Sequence, residues 1–157
     1  MPVFPGNAIG NKSDEELKDT IAGRVYTLLM HIHSPSKVYP TLVNEPVINK
    51  VSDLAWGVDV NPTEIIPINT IQNPFDIHFI NVGTISNNDE YEMILYKGAN
   101  PGTEIARVSF DRGTTSTEAN IPVQTELLPA NTRVSAKLTS RATAARNVSV
   151  KLHYHEY

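Results

Sequence analysis

The sequence predicts an all-β protein: an antiparallel β-sandwich, jelly-roll-like, with an extended N-terminal arm and one short helix. Val, Ile and Thr number 14 each against 10 Leu, and 11 of the 157 residues are Pro. β-branched side chains lose rotamer freedom in helices and pack well on pleated sheets. From residue 24 onward, short β-like runs and turn residues alternate about every 8–14 residues, which is typical of a sandwich or barrel.

Residues 1–23 are predicted to form an arm that is distinct from a sandwich domain over residues 24–157. The first half of the arm is rich in Pro, Gly and Asn, which favours an extended chain. Ser13 then begins a short helix with Glu16 at the capping-box position, and Gly23 ends it. Because two turns are marginal for an isolated helix, the segment is either a solvated linker helix or an arm that orders against a neighbouring subunit.

Ten strands are predicted in the domain, and the alternation of apolar and polar residues is clearest in the last one. There, Val148, Val150 and Leu152 oppose polar neighbours, as an antiparallel sheet with one solvated side requires. Residues 64–68 are apolar on both faces and contain Pro67, so we expect both faces to be covered. The predicted strands are 24–33, 38–43, 53–60, 64–71, 75–83, 90–97, 103–111, 119–128, 132–140 and 147–155.

Turn residues separate these strands. The stretch 97–102 holds two Gly and one Pro, and the run 87–89 is Asn-Asn-Asp, residues that tolerate or preset turn conformations. The tip of the last hairpin, residues 139–146, is rich in Ser, Thr, Ala and Arg and is expected to be flexible. No helical stretch of about 10–15 residues separates the strands, so a parallel α/β sheet is not expected.

Composition argues against several classes of partner. There are 13 Lys plus Arg against 17 Asp plus Glu, a net charge of −4, whereas proteins that neutralise phosphates carry a basic excess. The longest apolar stretches fall far short of the roughly 20 residues of a membrane span, and the N-terminus does not resemble a signal peptide. The sequence has no Cys, which excludes disulfides and thiolate ligands and fits a reducing cytoplasm. We therefore expect neither membrane nor direct nucleic-acid partners.

The histidines carry the clearest potential for chemistry. His31 and His33, like His153 and His155, are two residues apart, so each pair points to one face of a strand. The first and last strands of a jelly roll often share a sheet, so the four imidazoles are candidates for a metal site, with Glu156 as a carboxylate ligand. The Gly, Pro and Glu pattern that follows the first His pair of cupins is absent. Structural histidines are therefore the favoured interpretation, with no cofactor.

No catalytic constellation is apparent, and we expect no enzymatic activity. No Ser lies in a Gly-x-Ser-x-Gly elbow, and no Gly-rich loop ends in Gly-Lys-Ser/Thr. Trp56, the only Trp, lies among aliphatic residues and is predicted to be in the core. Basic residues concentrate in the hairpin 132–151, where Arg141 and Arg146 are candidate contacts to an acidic protein neighbour.

Six strand patterns in the C-terminal half of the chain carry a family resemblance. They are residues 75–83, 91–98, 104–110, 121–125, 128–138 and 150–157. Together they resemble runs in structural proteins of tailed bacteriophages. The resemblance implies a capsid decoration (cement) protein, commonly a homotrimer at local threefold axes, with no catalytic residues. It also implies synthesis in the host cytoplasm and a final location on the capsid exterior of the virion, bound to the major capsid protein.

The predicted function is therefore a non-enzymatic virion protein that cements adjacent coat subunits. Val3, Phe4 and Pro5 of the arm, with Arg141 and Arg146, are the candidate partner contacts. An arm that orders on a neighbour adds contact area, and a threefold ring closes symmetrically. Two alternatives remain open: a phage tail- or fibre-associated module that binds carbohydrate, and a cupin-like protein that binds metal through the four paired histidines.

Overall fold

Nine β-strands, all paired antiparallel, make up the regular structure of the described part of the chain. The structure is a computed structural model that describes residues 36–40, 46–50, 55–57, 61–99, 102–112 and 119–157. The predicted arm with its helix, Val3, Phe4, Pro5, the strand 24–33 and the pair His31 and His33 lie outside these residues. Across the described ranges, no helical stretch has the length and apolarity that crossing a bilayer requires.

The strands form two sheets, which confirms the predicted antiparallel β-sandwich. Sheet A has the order β1-β9-β4-β7, with β2 also pairing with β9, and sheet B has the order β3-β8-β5-β6. The strands are β1 (Lys37–Tyr39), β2 (Val47–Lys50), β3 (Thr63–Ile66), β4 (Phe75–Ile85), β5 (Asp89–Lys97), β6 (Thr103–Arg112), β7 (Ala119–Pro122), β8 (Val134–Ser140) and β9 (Arg146–Glu156).

One hydrophobic core lies between the two sheets. Alternate residues of each long strand enter it, because successive side chains of a strand point to opposite faces. The predicted inward set of β9 is confirmed, with Val148, Val150 and Leu152 fully buried. The residues of sheet B that are fully buried in the same cluster are Ile66, Met93, Leu95, Val134, Ala136 and Leu138. Ile65 and Ile66 are both buried in this core, because the register of β3 on β8 shifts between Glu64 and Ile66. Ile68 is 63% exposed, so the expectation that residues 64–68 are covered on both faces does not hold there.

The prediction for the segment around Trp56 was wrong. A strand was predicted over 53–60, but residues 55–57 form a turn. Trp56 has a φ of 57° and is 46% exposed, so it is not in the core. Its N–H donates to the carbonyl of Ser140, 2.7 Å away, which holds the turn against the end of β8. A positive φ is uncommon for a bulky residue, so sequence patterning alone does not indicate it.

The turn between β5 and β6 lies where it was predicted. Gly98 and Gly102 have φ values of 86° and 75°, in the region that favours glycine. A Cβ on Gly102 would lie 2.8 Å from the carbonyl oxygen of Lys97, so a side chain there would force the backbone apart. These two glycines let β6 return along β5 and become the edge of sheet B.

The loop between β8 and β9, which the sequence predicts to be flexible, is anchored by buried charges. The Lys50 side chain is fully buried, and its Nζ donates to the carbonyl oxygens of Ala142 and Ala144. The Asp89 carboxylate accepts from the N–H of Ala142 at 3.2 Å and from Nε of Arg146 at 3.1 Å. Because Asp89 begins β5 in sheet B and Arg146 begins β9 in sheet A, this ion pair links the two sheets.

Candidate functional site

A β-bulge in β4 shapes the outer face of sheet A. In its pairing with β9, the register of β4 shifts between Ile77 and Phe79. Ile77 and Ile80 are both fully buried in the core. The two residues between them, His78 and Phe79, therefore both lie on the outer face, where a regular strand would place only one. The bulge thus presents two consecutive rings on the side of the sheet that faces away from the core.

Asp76, His78 and His155 meet beside this bulge, and we call them the Asp76 cluster. Nε2 of His78 lies 2.8 Å from Oδ1 of Asp76, and the rings of His78 and His155 have centroids 4.3 Å apart. One possible ligand atom from each of the three side chains lies within 4.8 Å of the other two. Asp76 is only 4% exposed, while both histidines are partly buried. The cluster is therefore a small polar site on an otherwise ordinary sheet face.

Gln124, in the extended segment after β7, completes the surroundings of the Asp76 carboxylate. Its Nε2 donates to Oδ2 of Asp76 at 3.3 Å, so the two carboxylate oxygens face two different side chains. The segment runs beside the bulge, with the N–H of Val123 donating to the carbonyl of His78 at 2.8 Å. Backbone pairing on both sides thus positions the cluster.

Phe79 and His153 lie next to the cluster on the same face. Their rings meet edge to face, with centroids 6.3 Å apart and an angle of 84° between the ring planes. Phe79 is 42% exposed, so part of its ring is available at the surface of this sheet face. The pair adds an apolar aromatic surface beside the polar cluster.

The structure separates the predicted histidine candidates. It places His155 in the Asp76 cluster, whereas His153 contacts Phe79. Glu156, the expected carboxylate, instead pairs with Nζ of Lys37 at 2.6 Å, and that hydrogen bond lowers the pKa of the Glu156 carboxyl. Asp76 and His78 were not among the site residues predicted from the sequence. The signal was present, because these two residues have the same two-residue spacing that singled out the His pairs.

The two basic candidates for partner contact have different surroundings. Arg141 is 70% exposed, and its Nη1 atom lies 3.6 Å from Oε1 of Glu90. Arg146 is largely buried in the pair with Asp89 that joins the sheets. The two residues therefore differ in what they offer a partner, since Arg141 is accessible and the described contacts of Arg146 are internal.

The outer face of sheet B carries charged side chains that contact one another. Arg107 of β6 pairs with Glu92 at 2.6 Å and with Glu104 at 2.9 Å. Ile94, which points away from the core between Met93 and Leu95, is nevertheless only 2% exposed. Nζ of Lys137 lies 5.3 Å from the ring centroid of Tyr96 on this face. Arg107 and Lys137 lie directly opposite Ile94 on the two neighbouring strands.

Comparison with known proteins shows only remote likeness. No protein-family model matches the sequence, and no curated protein matches it. Among solved structures, infectious bursal disease virus Gt strain matches with a TM-score of 0.42 and 10% identity, covering 80% of this chain and 33% of that chain. The VP2 subviral particle of infectious bursal disease virus gives a TM-score of 0.40 and 12% identity, over 78% of this chain and 33% of that chain.

A further match is the enzymatically active domain of tailspike protein 4 from bacteriophage CBA120. It has a TM-score of 0.32 and 12% identity, and it covers 78% of this chain and 19% of that chain. The chain therefore spans about a third or less of the structures it matches. These values are below the level at which structural similarity implies a shared family or function.

Proposed function

We propose that the protein is a non-enzymatic structural component of a virion that binds the outer capsid surface and cements adjacent coat subunits. The observation that carries the proposal is a contrast at the surface. Charged side chains pair with one another, while large apolar side chains are exposed. Ion pairs join Lys37 to Glu156, Lys97 to Glu126 and Arg107 to Glu92. The exposed large apolar residues of the described ranges are Val47, Trp56, Ile68, Phe79 and Leu127.

This contrast supports protein contact over contact with nucleic acid or another polyanion. The buried centre of a protein interface is depleted in charge and enriched in aromatic side chains. Phe79 is the best-placed anchor, because it stands on a sheet face beside His153 and does not lie at a loop tip. The family resemblance of the strand patterns supports the identity of the partner, a major capsid protein.

The assembly we propose is a homotrimer at a threefold axis of the capsid. A closed ring lets three copies of a small domain contact the surrounding coat subunits equivalently. In this arrangement the arm of residues 1–23 adds contact area on a neighbour, and Arg141 is available to an acidic surface. The mechanism is stabilisation by burial: the bound protein opposes the internal pressure of packaged DNA.

The direct test is cosedimentation of purified full-length protein with emptied capsids of the phage that encodes it. We expect saturable binding that Phe79→Asp weakens at least about tenfold, because the charge would be buried at the contact. Ser109→Asp is the matched control, since it places the same charge at an exposed position of sheet B. Failure of the unchanged protein to bind would overturn the proposal, and equal binding by both variants would remove sheet A from the contact.

A second experiment tests the arm. Deletion of residues 1–23 is expected to weaken capsid binding and to lower the temperature at which decorated capsids release DNA. The comparison is with full-length protein on the same capsids, at equal occupancy. Unchanged binding and release would exclude the arm from the mechanism and leave the sandwich domain as the cementing unit.

One observation favours the carbohydrate-binding alternative. Trp56 is exposed on a turn, and exposed aromatic rings are the usual platforms for sugar rings. A glycan array with the purified protein separates the two functions. A capsid-binding protein is expected to give no glycan signal, whereas a tail-associated module is expected to give one that Trp56→Ala removes.

A further inference from the structure

We propose that the Asp76 cluster binds one divalent transition-metal ion, with Zn²⁺ as the ion that its donors suit. The cluster offers two imidazole nitrogens and one carboxylate oxygen, from His78, His155 and Asp76. This donor set is suited to zinc and to neighbouring first-row metals, and three protein ligands leave one position of a tetrahedral ion for water. The inference does not depend on the proposed capsid role.

The distances are compatible with such a site after small side-chain movements. Metal–ligand distances of about 2.0–2.2 Å place the ligand atoms of a tetrahedral ion about 3.3–3.6 Å apart. In the structure, the Asp76 to His78 distance of 2.8 Å is shorter than this, and no pair within the cluster exceeds 4.8 Å. A metal that replaces the hydrogen atom shared by His78 and Asp76 therefore needs a slight opening of that pair and a small approach of His155.

The scaffold holds these donors firmly. Asp76 and His155 are direct register partners on β4 and β9, the two strands at the centre of sheet A. Side chains directly opposite on antiparallel strands have Cβ atoms about 4.5–5.5 Å apart, which suits two ligands of one ion. Sites built on strands of the scaffold are positioned more accurately than sites on loops.

Gln124 acts as a positioning residue in this proposal. It donates to Oδ2 of Asp76 at 3.3 Å, while His78 faces Oδ1 of the same carboxylate. Oriented in this way, the carboxylate presents Oδ1 to the ion. Outer-shell hydrogen bonds of this kind are typically worth about 10–100-fold in metal affinity.

The test is titration of tag-free, chelator-treated full-length protein with Zn²⁺, followed by calorimetry. We expect one saturable site per chain, which His78→Ala and His155→Ala abolish at Zn²⁺ concentrations that saturate the unchanged protein. Gln124→Ala is expected to weaken binding about 10–100-fold. His153→Ala is the matched control, because it removes the next histidine on the same strand and face and is expected to retain binding.

Two measurements keep the result decisive. Circular dichroism and melting temperature establish that each variant is folded, and the Co²⁺ absorption spectrum of the unchanged protein reports nitrogen and oxygen ligation directly. A double variant, His31→Ala with His33→Ala, removes the other His pair of the chain and is expected to retain the site. Absence of saturable binding overturns the proposal. So does binding that survives in folded His78→Ala and His155→Ala, or a loss in His153→Ala equal to that in His155→Ala.

Discussion

The outer faces of the two sheets differ in how completely their side chains satisfy one another. On sheet B, Arg107 contacts two carboxylates, and the apolar side chain of Ile94 is covered. On sheet A, a polar cluster lies next to Phe79, whose ring is 42% exposed. Both sheets contribute to one core, so the difference is confined to the surfaces that face away from it.

The two faces therefore differ in how many side-chain groups remain available to a partner. A network whose donors and acceptors already contact one another gains little from a partner, because new contacts must replace existing ones. On sheet A, the exposed ring of Phe79 still offers apolar area, and the buried carboxylate of Asp76 and the two partly buried imidazoles beside it still offer ligand atoms. Sheet B is therefore the structural face and sheet A the candidate binding face.

Loss of the ion pair that links the two sheets is expected to destabilise the protein most. Asp89→Asn removes the charge that holds Arg146, which would leave a largely buried guanidinium without its carboxylate. We expect a loss of about 3 kcal/mol in the free energy of unfolding, measured by urea denaturation. Glu90→Gln is the control: it removes an exposed carboxylate of a 3.6 Å pair and is expected to change stability by less than about 0.5 kcal/mol. Equal effects of the two variants would show that Asp89 does not link the sheets.

The next prediction compares the two faces directly. Ile94→Ala on sheet B is expected to cost about 2 kcal/mol of stability, because a covered aliphatic side chain is lost. Phe79→Ala on sheet A is expected to cost less than about 1 kcal/mol, because its ring is already partly in water. Thermal and urea unfolding of both variants give the comparison. A larger cost at Phe79 would make that ring a structural element and break the contrast between the faces.

Alkaline pH is expected to lower the free energy of unfolding through buried tyrosines in both sheets. Burial raises the pKa of Tyr91 in sheet B and of Tyr154 in sheet A above the ordinary value of 10.0. Because the folded protein holds each tyrosine proton more tightly than the unfolded chain, the full stability is present below the unfolded-state pKa of 10.0. It is lost as the pH rises from that value through the higher folded-state pKa. Stability measured from pH 9 to 12 is therefore expected to fall, and less steeply in Tyr91→Phe. If the stability of Tyr91→Phe fell with pH as steeply as that of the unchanged protein, this prediction would be wrong.

The smallest expected effect is local to sheet B. The hydrogen bonds from Arg107 lower the pKa of the Glu104 carboxyl below its ordinary value of 4.5. Arg107→Gln is therefore expected to raise that pKa toward the ordinary value, as followed by NMR titration of the Glu104 carboxyl carbon. Lys97→Gln, which breaks the pair with Glu126 elsewhere on the surface, is expected to leave it unchanged. If the pKa of Glu104 were the same in Arg107→Gln as in the unchanged protein, the hydrogen bonds from Arg107 would not be what lowers it.

Where side chains alternate regularly, the sequence predicts the fold well. β9 is the clearest case, since its inward residues are those that the alternation of Val148, Val150 and Leu152 predicts. The pattern fails where the chain departs from that period. Lys50 points inward from β2, and only the carbonyls of a distant loop explain its burial. Trp56 adopts a positive φ that its apolar neighbours do not predict.

The candidate site was predicted only in part, for a related reason. His155 was a candidate from its spacing to His153, but the site draws its other members from β4. Asp76 and His78 become neighbours of His155 through the register of β4 on β9, which is a long-range property. The bulge at residues 77–79, which puts Phe79 on the outer face, has no signal in the local sequence such as a glycine.

The position of β9 has a consequence for the kinetics of folding. This strand pairs with β1, β2 and β4, so sheet A is completed by a segment at least 63 residues away from its partners in sequence, since the nearest partners are Ile85 and Val148. Pairings of such separation cost loop-closure entropy before they return any contact energy, and β-sandwiches rich in them fold in milliseconds to seconds. Until β9 is in place, β4 exposes an unpaired edge, so newly made chains at high concentration have an interval in which copies can pair with one another.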